Sequence, residues 1–294
     1  MKTAITVLGS LHMDFVTRAP RLPLLGETLM GQSCEQFPGG KGLNQAAACA
    51  RAGWHTQMLG AVGDDVFGDQ MIAWLAERDV DVGGIRRLHG ERSGMSVAIV
   101  EGTGDYAAVV ISQANARLDA ASVAGWHDRL EASSVLILQN EIAAEVNQAA
   151  ARFMQSRGRP VVLNAAPARQ LSAADLEGVS VLVVNAVEAE MMGAAPVTDL
   201  ASAEGAGRAL AKSLGVDVVV TAGGHGAAWA RTDDSHGRVP GAPVKVVSTL
   251  GAGDAFIGEL TVTLVGGASL HASVEAANAA AALHIGGERH ASAR

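Results

Sequence analysis

Short apolar runs rich in Val, Ile and Leu alternate along this chain with longer stretches whose apolar residues recur every three or four positions. The short runs predict strands at Ala4–Leu8, Gln57–Ala61, Val135–Gln139, Val161–Asn164, Val179–Val184, Val216–Thr221 and Ala227–Arg231. The longer stretches predict helices at Lys41–Ala52, Val66–Arg78, Ala120–Leu130, Ala143–Arg157, Leu200–Leu214, Ala252–Val265 and Leu270–His284. Strands that are apolar on both faces and alternate with helices imply an α/β fold, with a mostly parallel sheet covered by helices on both sides.

Two segments break the rhythm. Leu11 to Pro38 mixes polar and apolar residues with no helical period, and Ser96 to Ser112 reads as two strands around Gly102-Thr103-Gly104-Asp105. Together they suit a small second sheet. Ligands of open α/β sheets bind beyond the carboxyl ends of the strands, so such a sheet would act as a lid. No internal repeat or long linker divides the chain. The expectation is one domain over 1–294, with a lid formed by about 11–38 and 94–113.

Composition narrows the function classes. Hydrophobic residues make up 49% of the 294 positions but aromatics only 3%, so the core must be built from Ala, Val, Leu and Ile. The net charge of -8 and the lack of a basic tract argue against nucleic acid or an anionic membrane as partner. Two cysteines, Cys34 and Cys49, form no metal or disulfide spacing. The start shows no signal-peptide core, and no apolar stretch is long enough to span a bilayer. A cytoplasmic protein is expected.

Five polar segments punctuate the pattern. In Gly9-Ser10-Leu11-His12-Met13-Asp14, a period of two puts Ser10, His12 and Asp14 on one face. That face suits a polyhydroxyl ligand; a solvated edge is the plain alternative. Phe37 to Gln45 carries Gly39, Gly40 and Gly42 into a helix whose first turn presents Lys41 and Asn44 together. It is not a phosphate-binding P-loop, because Gly42 stands where Ser or Thr is needed. Nor is it a dinucleotide fingerprint, because position 45 is Gln and no apolar strand precedes it, which disfavours a dehydrogenase. A small polar substrate remains, with a simple turn as the alternative.

The predicted strands end in Asn140 and Glu141, Asn164, Asn185 with Glu188, and Thr221. Each alone is ordinary capping chemistry, but in a parallel sheet they converge on one edge. Asn185 and Glu188 could hold water on a Mg²⁺ ion, which takes few protein carboxylates. Thr221-Ala-Gly223-Gly224-His225-Gly226 could cradle an anion with backbone amides, although a hairpin turn also explains it. Finally, Gly251-Ala252-Gly253 opens a helix whose amino end favours an anion. Asp254 beside that anion would repel phosphate unless it accepts a proton from an attacking hydroxyl.

"PGGKGLNQAAACARAG" and "STLGAGDAF" together resemble the two signatures of the ribokinase-type carbohydrate kinases, the phosphofructokinase-B family. The similarity continues in order through "VLGSLHMD", "LGAVGDDVFGDQM", "VVLNAAPAR", "VNAVEAE", "VVVTAGGHGAAWA" and "ANAAAALHIGG". The resemblance implies a three-layer α/β/α domain with a small β-sheet lid. It implies ATP- and Mg²⁺-dependent phosphorylation of a sugar hydroxymethyl group, ribose or a related pentose foremost. By position, Asp254 matches the catalytic base, and the amides of Gly251, Ala252 and Gly253 match an anion hole. Asp14, Gly40, Lys41, Asn44 and Glu141 match sugar contacts, with His12 beside them. Asn185, Thr221, Gly223, Gly224, His225, Gly226, Gly253 and Asn278 match nucleotide positions. Glu188 matches a Mg²⁺ position, reached through water, and Ser248 lies in the loop that holds a monovalent cation. Members often form homodimers through their lids, and K⁺ activation is common.

Three departures set this chain apart. Ser248 replaces the usual acid, so little response to K⁺ is expected. His12 stands where ribokinases usually have Asn, which bears on the preferred sugar. The chain stops at His290-Ala-Ser-Ala-Arg294 without the usual continuation, which is expected to shorten the cation loop. Fructose, another keto-sugar or a nucleoside remain open as acceptors on this fold. A non-catalytic sugar- or nucleotide-binding regulator is the alternative from another class.

Overall fold

The computed structural model describes residues 4–102 and 106–287. The first seven strands are β1 (Ala4–Leu8), β2 (His12–Arg18), β3 (Ser33–Gly39), β4 (Thr56–Gly63), β5 (Val80–Leu88), β6 (Gly94–Val100) and β7 (Tyr106–Ile111). The remainder are β8 (Ser133–Gln139), β9 (Val161–Asn164), β10 (Val181–Asn185), β11 (Asp217–Thr221), β12 (Gly226–Ala230) and β13 (His236–Pro240). The helices are α1 (Lys41–Arg51), α2 (Val66–Ala76), α3 (His127–Glu131), α4 (Ala144–Gln155) and α5 (Ala173–Leu176). They continue with α6 (Ala186–Met191), α7 (Leu200–Leu214), α8 (Ala252–Val265) and α9 (Leu270–Ile285).

Alternation along the strands builds the layers. Leu136 and Leu138 of β8, Leu182 and Val184 of β10, and Val218 and Val220 of β11 face one core with α4 and α7. Val135 and Ile137, Val181 and Val183, and Val219 face the other, with α1, α2, α8 and α9. The sheet order is β13-β12-β11-β10-β9-β8-β1-β4-β5. Pairing is parallel from β5 to β11, and antiparallel only where β12 and β13 are added. The two-sided apolar strands thus sit where helices cover both faces. A separate four-stranded sheet has the order β3-β2-β6-β7. Its chain comes from the two segments that lack α/β rhythm; positions 103–105 of the hairpin turn lie outside the described residues.

The helix expected over Ala120–Leu130 is two pieces, a 3-10 turn at Ala120–Trp126 followed by α3. The Ser122 carbonyl, which a continuous α-helix would offer to the Trp126 amide, instead accepts from the Arg86 guanidinium at 2.5 Å. Trp126 Nε1 donates to the Gly84 carbonyl at 2.9 Å, fixing the turn against β5. Strand β5 had no clear apolar pattern because Gly83, Gly84, Arg86 and Arg87 interrupt it. Strand β13 was hidden by its edge position and its mostly exposed sequence HGRVP.

Helices α1 and α8 cross at Gly258. A Cβ there would lie 2.5 Å from the Ala48 Cβ and 3.0 Å from the Ala48 carbonyl carbon. The contact also seals in Cys49, whose thiol burial pushes up to about 12. Because α8 starts at the candidate site, this crossing sets where Asp254 stands. Gly258→Leu is expected to lower unfolding free energy by about 3 kcal/mol, the upper range for overpacking a close contact. Urea denaturation measures it, and an unchanged midpoint would show that the crossing is not close in solution.

Candidate active site

One pole of the site is the root of the small sheet. His12 opens β2 and pairs with Gly39 on β3 and Gly94 on β6. Its ring is 2% exposed, and burial lowers its pKa against the opposing pull of Glu141 and Asp14. The imidazole is therefore held toward its neutral form, with Nδ1 3.8 Å from Glu141 Oε2 and Nε2 buried without a hydrogen-bond partner. Two residues on, Asp14 accepts a hydrogen bond from Ser96 Oγ at 2.5 Å. Burial raises the Asp14 carboxyl pKa, and the Ser96 bond partly offsets that. Gly39 is required here, because a Cβ would lie 1.9 Å from Asp14 Oδ2.

The start of α1 forms the floor. Gly40 has φ 95°, a conformation L side chains rarely adopt, and it turns the chain from β3 into the helix. The Lys41 amide donates to Glu141 Oε2 at 2.9 Å, and Ser10 Oγ donates to the same oxygen. A single carboxylate after β8 thus ties together the ends of β1 and β8 and the amino end of α1. A negative group at that end is favoured by the helix dipole.

Asp254 stands in the first turn of α8, whose N-cap Gly251 has φ 76°. It is 8% exposed. Oδ1 accepts from Gln45 Nε2 at 2.9 Å, and Oδ2 accepts a longer bond from Asn44 Nδ2 at 3.4 Å. Burial raises the carboxyl pKa, while Lys41 and the Gln45 bond act in the other direction. A carboxyl held upward in this way but still able to ionise has the properties of a general base. A Cβ at Gly253 would meet nothing within 4 Å, so the space over the helix end is open. Of the three expected hole amides, that of Ala252 already donates to the Thr249 carbonyl at 3.2 Å, closing the turn into α8.

The expected nucleotide side lies further along the same strand-end edge. Asn185 and Glu188 bond each other as a capping box on α6, both backbone-to-side-chain distances being 2.8 Å. Burial raises the Glu188 carboxyl pKa, with its Asn185 bond and Lys41 opposing. Oε2 is committed to the Asn185 amide. Thr221 Oγ1 reaches the Val184 carbonyl at 3.5 Å, and Gly223–His225 form a 3-10 turn before Gly226, which has φ 111°. Asn278 on α9 donates to the Val239 carbonyl at 3.0 Å. Ser248 Oγ accepts from the Leu250 amide at 3.2 Å.

A cavity of about 760 Å³ joins Asp14, Gly39, Asn44, Ser248, Gly251 and Asp254. A second, of about 640 Å³, opens at Pro160, Ser180 and Val216, before the amino ends of β9, β10 and β11, away from this chemistry. Of the expected residues, Asp14, Asn44, Ser248, Gly251 and Asp254 line this cavity, whereas His12, Gly40, Lys41 and Glu141 are not on its wall and are linked to it through their contacts with one another and with Asp14 and Asp254. Asn185, Glu188, Thr221–Gly226 and Asn278 lie outside that cavity's wall. Sequence reasoning missed the roles of Ser96, Gln139 and Gln45. The signals were a serine on a lid strand and two amides among apolar or Ala-rich neighbours.

Comparisons with known proteins agree with this layout. A family model for pfkB family carbohydrate kinases matches residues 2–292. The chain is 33% identical over 290 residues to a ribokinase of Schizosaccharomyces pombe, covering 96% of this chain and 91% of that one. It is 31% identical over 285 residues to a deoxyribokinase of Salmonella typhimurium, covering 97% and 93%. The solved structure of Arabidopsis thaliana ribokinase complexed with ribose and ATP superposes with a TM-score of 0.88 at 26% identity, covering 97% and 93%. With Asp254 buried at the amino end of α8 and a matching family model over nearly its whole length, this chain belongs to the pfkB family of carbohydrate kinases.

Proposed function

We propose that this carbohydrate kinase transfers the γ-phosphoryl group of ATP to the hydroxymethyl group of a pentose, ribose or a close relative of it. The observation that carries the reading is Asp254, buried, raised in pKa and open to the same cavity as Asp14 and Asn44. Relatives named ribokinase and deoxyribokinase support the pentose. Asp14, Asn44 and the Lys41 side chain orient the sugar hydroxyls. Asp254 accepts the proton of the attacking hydroxyl as its oxygen bonds to the γ-phosphorus. The bond from phosphorus to the bridging oxygen breaks, and its electrons leave with ADP. The amides of Gly251 and Gly253 and the α8 dipole favour the negative charge on the transferred group.

The nucleotide is taken to lie along Asn185 and Thr221–Gly226, which follow β10 and β11, with Asn278 of α9 bonded to the Val239 carbonyl close to Gly226. Among the described residues no cluster of three or more His, Cys, Asp or Glu could hold a metal ion. This suits Mg²⁺, which keeps several waters and binds mainly through substrate phosphates. Glu188 would hold it through water by the oxygen not bonded to Asn185. When bound, the ion neutralises charge on the phosphates. Residues 244–250 include no carboxylate, so the Ser248 loop fits K⁺ poorly and no step depends on it.

The small sheet acts as the lid, since Asp14 and Ser96 bring its strands onto the sugar side of the cavity. The face of the small sheet opposite Asp14 and Ser96 exposes Val97, Val109 and Ile111, which favours a second copy of the chain as partner, lid against lid. No helix among the described residues is long and apolar enough to cross a membrane, and Cys34 and Cys49 are free thiols, which suits action in the cytoplasm.

A substrate screen and two variants check these proposals. In an ATP-consumption screen, ribose or 2-deoxyribose should exceed fructose and adenosine in kcat/KM by at least about tenfold, a difference of the size pocket contacts supply. K⁺ should change the rate little. A leading fructose or adenosine activity, or many-fold K⁺ activation, would contradict the respective reading. Asp254→Asn should lower kcat by roughly a thousandfold through loss of the base, with sugar affinity little changed. The folded chain holds the Asp254 proton more tightly than the unfolded chain, so stability falls as pH rises through the raised pKa. Removing that charge should therefore raise Tm at pH 8 by about 2–4 °C, opposite in sign to the activity; near-normal turnover or a lowered Tm would count against it. Val109→Asp should reduce the mass at sedimentation equilibrium to that of one chain, and an unchanged dimer would refute the lid interface.

A further inference from the structure

We propose that Gln45 is a positioning residue for the transfer: its amide pins Oδ1 of Asp254 and leaves Oδ2 as the oxygen that takes the proton. This inference rests on the assignment of Asp254 as base. Gln45 lies one residue after the sugar-facing Asn44, yet it is 0% exposed and turned into the sheet. Its Nε2 donates to Asp254 Oδ1 at 2.9 Å and to Asn164 Oδ1 at 3.1 Å. Its Oε1 accepts from Gln139 Nε2 at 2.9 Å. Gln45 of α1 thus links side chains of β8 and β9 to one oxygen of the α8 carboxylate.

The polarity of this chain is dictated from the Asp254 end. A carboxylate can only accept, so Gln45 must present its NH₂ there. Its carbonyl oxygen then faces Gln139, which must present NH₂ in turn. Reversing Gln45 would set its oxygen against the oxygens of both Asp254 and Asn164. Gln139 is itself fully buried, and its backbone carbonyl accepts from Asn147 Nδ2 at 2.7 Å. Its side-chain oxygen is left without a partner beside Gly9, where a Cβ would lie 1.8 Å away. The missing side chain at Gly9 makes room for the relay, and the unpaired oxygen is the cost of aiming its NH₂ at Gln45.

The consequence is an asymmetry between the two carboxylate oxygens. Oδ1 is tied to a buried donor, whereas Oδ2 has only the longer bond from Asn44, itself a wall of the cavity. A proton arriving from a sugar hydroxyl therefore goes to Oδ2. The charged groups that face Asp254 are Lys41 on α1 and Glu141 after β8, which act in opposite directions. Neither titration is needed for the relay, because Gln45 is neutral throughout.

The test is Gln45→Met, which keeps the volume and removes both donated bonds. On the acid limb, below the parent midpoint, kcat should fall up to about tenfold, sugar Kd from calorimetry should change less than about threefold, and the limb should move up by about one pH unit, the scale of a lost hydrogen bond to a charged group. Turnover should recover toward the parent value as pH rises to about 9, where the carboxylate is again ionised. An unmoved limb, or a loss equal at every pH, would overturn the proposal. Gln139→Leu removes only the support behind Gln45 and should shift the limb in the same direction by less; it carries the test if Gln45→Met does not fold, and no shift there would overturn it. Full turnover in Asp254→Asn would instead overturn the base assignment itself.

Discussion

Everything near the active site depends on keeping one buried carboxylate able to ionise. Taking a carboxylate out of water costs far more than a typical protein can absorb unless hydrogen bonds and nearby charge compensate. At Asp254 the compensation is spread over separate elements: the Gln45 amide, the Lys41 charge and the amino end of α8. The two that come from α1, the Gln45 amide and the Lys41 charge, reach the carboxylate through the close crossing of α1 and α8 at Gly258. The packing of two helices and the basicity of one side chain are thus a single constraint.

The same logic organises the side proposed to hold the sugar. Glu141 Oε2 collects the Ser10 hydroxyl and the Lys41 amide, so the end of β1 and the start of α1 share one acceptor, with the His12 ring at the root of β2 3.8 Å away. Burial presses the His12 ring toward neutrality. Asp14 is carried by the small sheet, whereas Asn44 and Asp254 are carried by the main domain. In the proposed reading, a sugar that bridges them would couple the two sheets.

Much of this was legible in the chain. The two-sided apolar strands gave the sheet and its helices, because burial on both faces leaves a strong pattern in Val135–Gln139 or Val216–Thr221. The glycine-rich openings of α1 and α8 were legible as places of special backbone, and Gly40 and Gly251 do take positive φ there; Asp254 stood out as a candidate because an acid beside a proposed anion site lacks a structural excuse. Strands β5 and β13 were not legible, since edge strands need not be apolar. The break at Ser122 was invisible because Arg86, which takes its carbonyl, comes from another element. Gln45 was passed over for the same reason. An amide in an Ala-rich helix carries no local signal, and its partners Asn164, Gln139 and Asp254 meet only in three dimensions.

The central claim is that the carboxyl of Asp254 titrates above the ordinary carboxylate range and that its ionised form carries the transfer. The most direct measurement is a carbon-13 NMR titration of aspartate-labelled protein, with the Asp254 signal assigned by its loss in Asp254→Asn. The account predicts a midpoint above that of an exposed aspartate and coincident with the acid limb of kcat. A midpoint at or below the ordinary value, or a kcat limb that falls elsewhere, would contradict it.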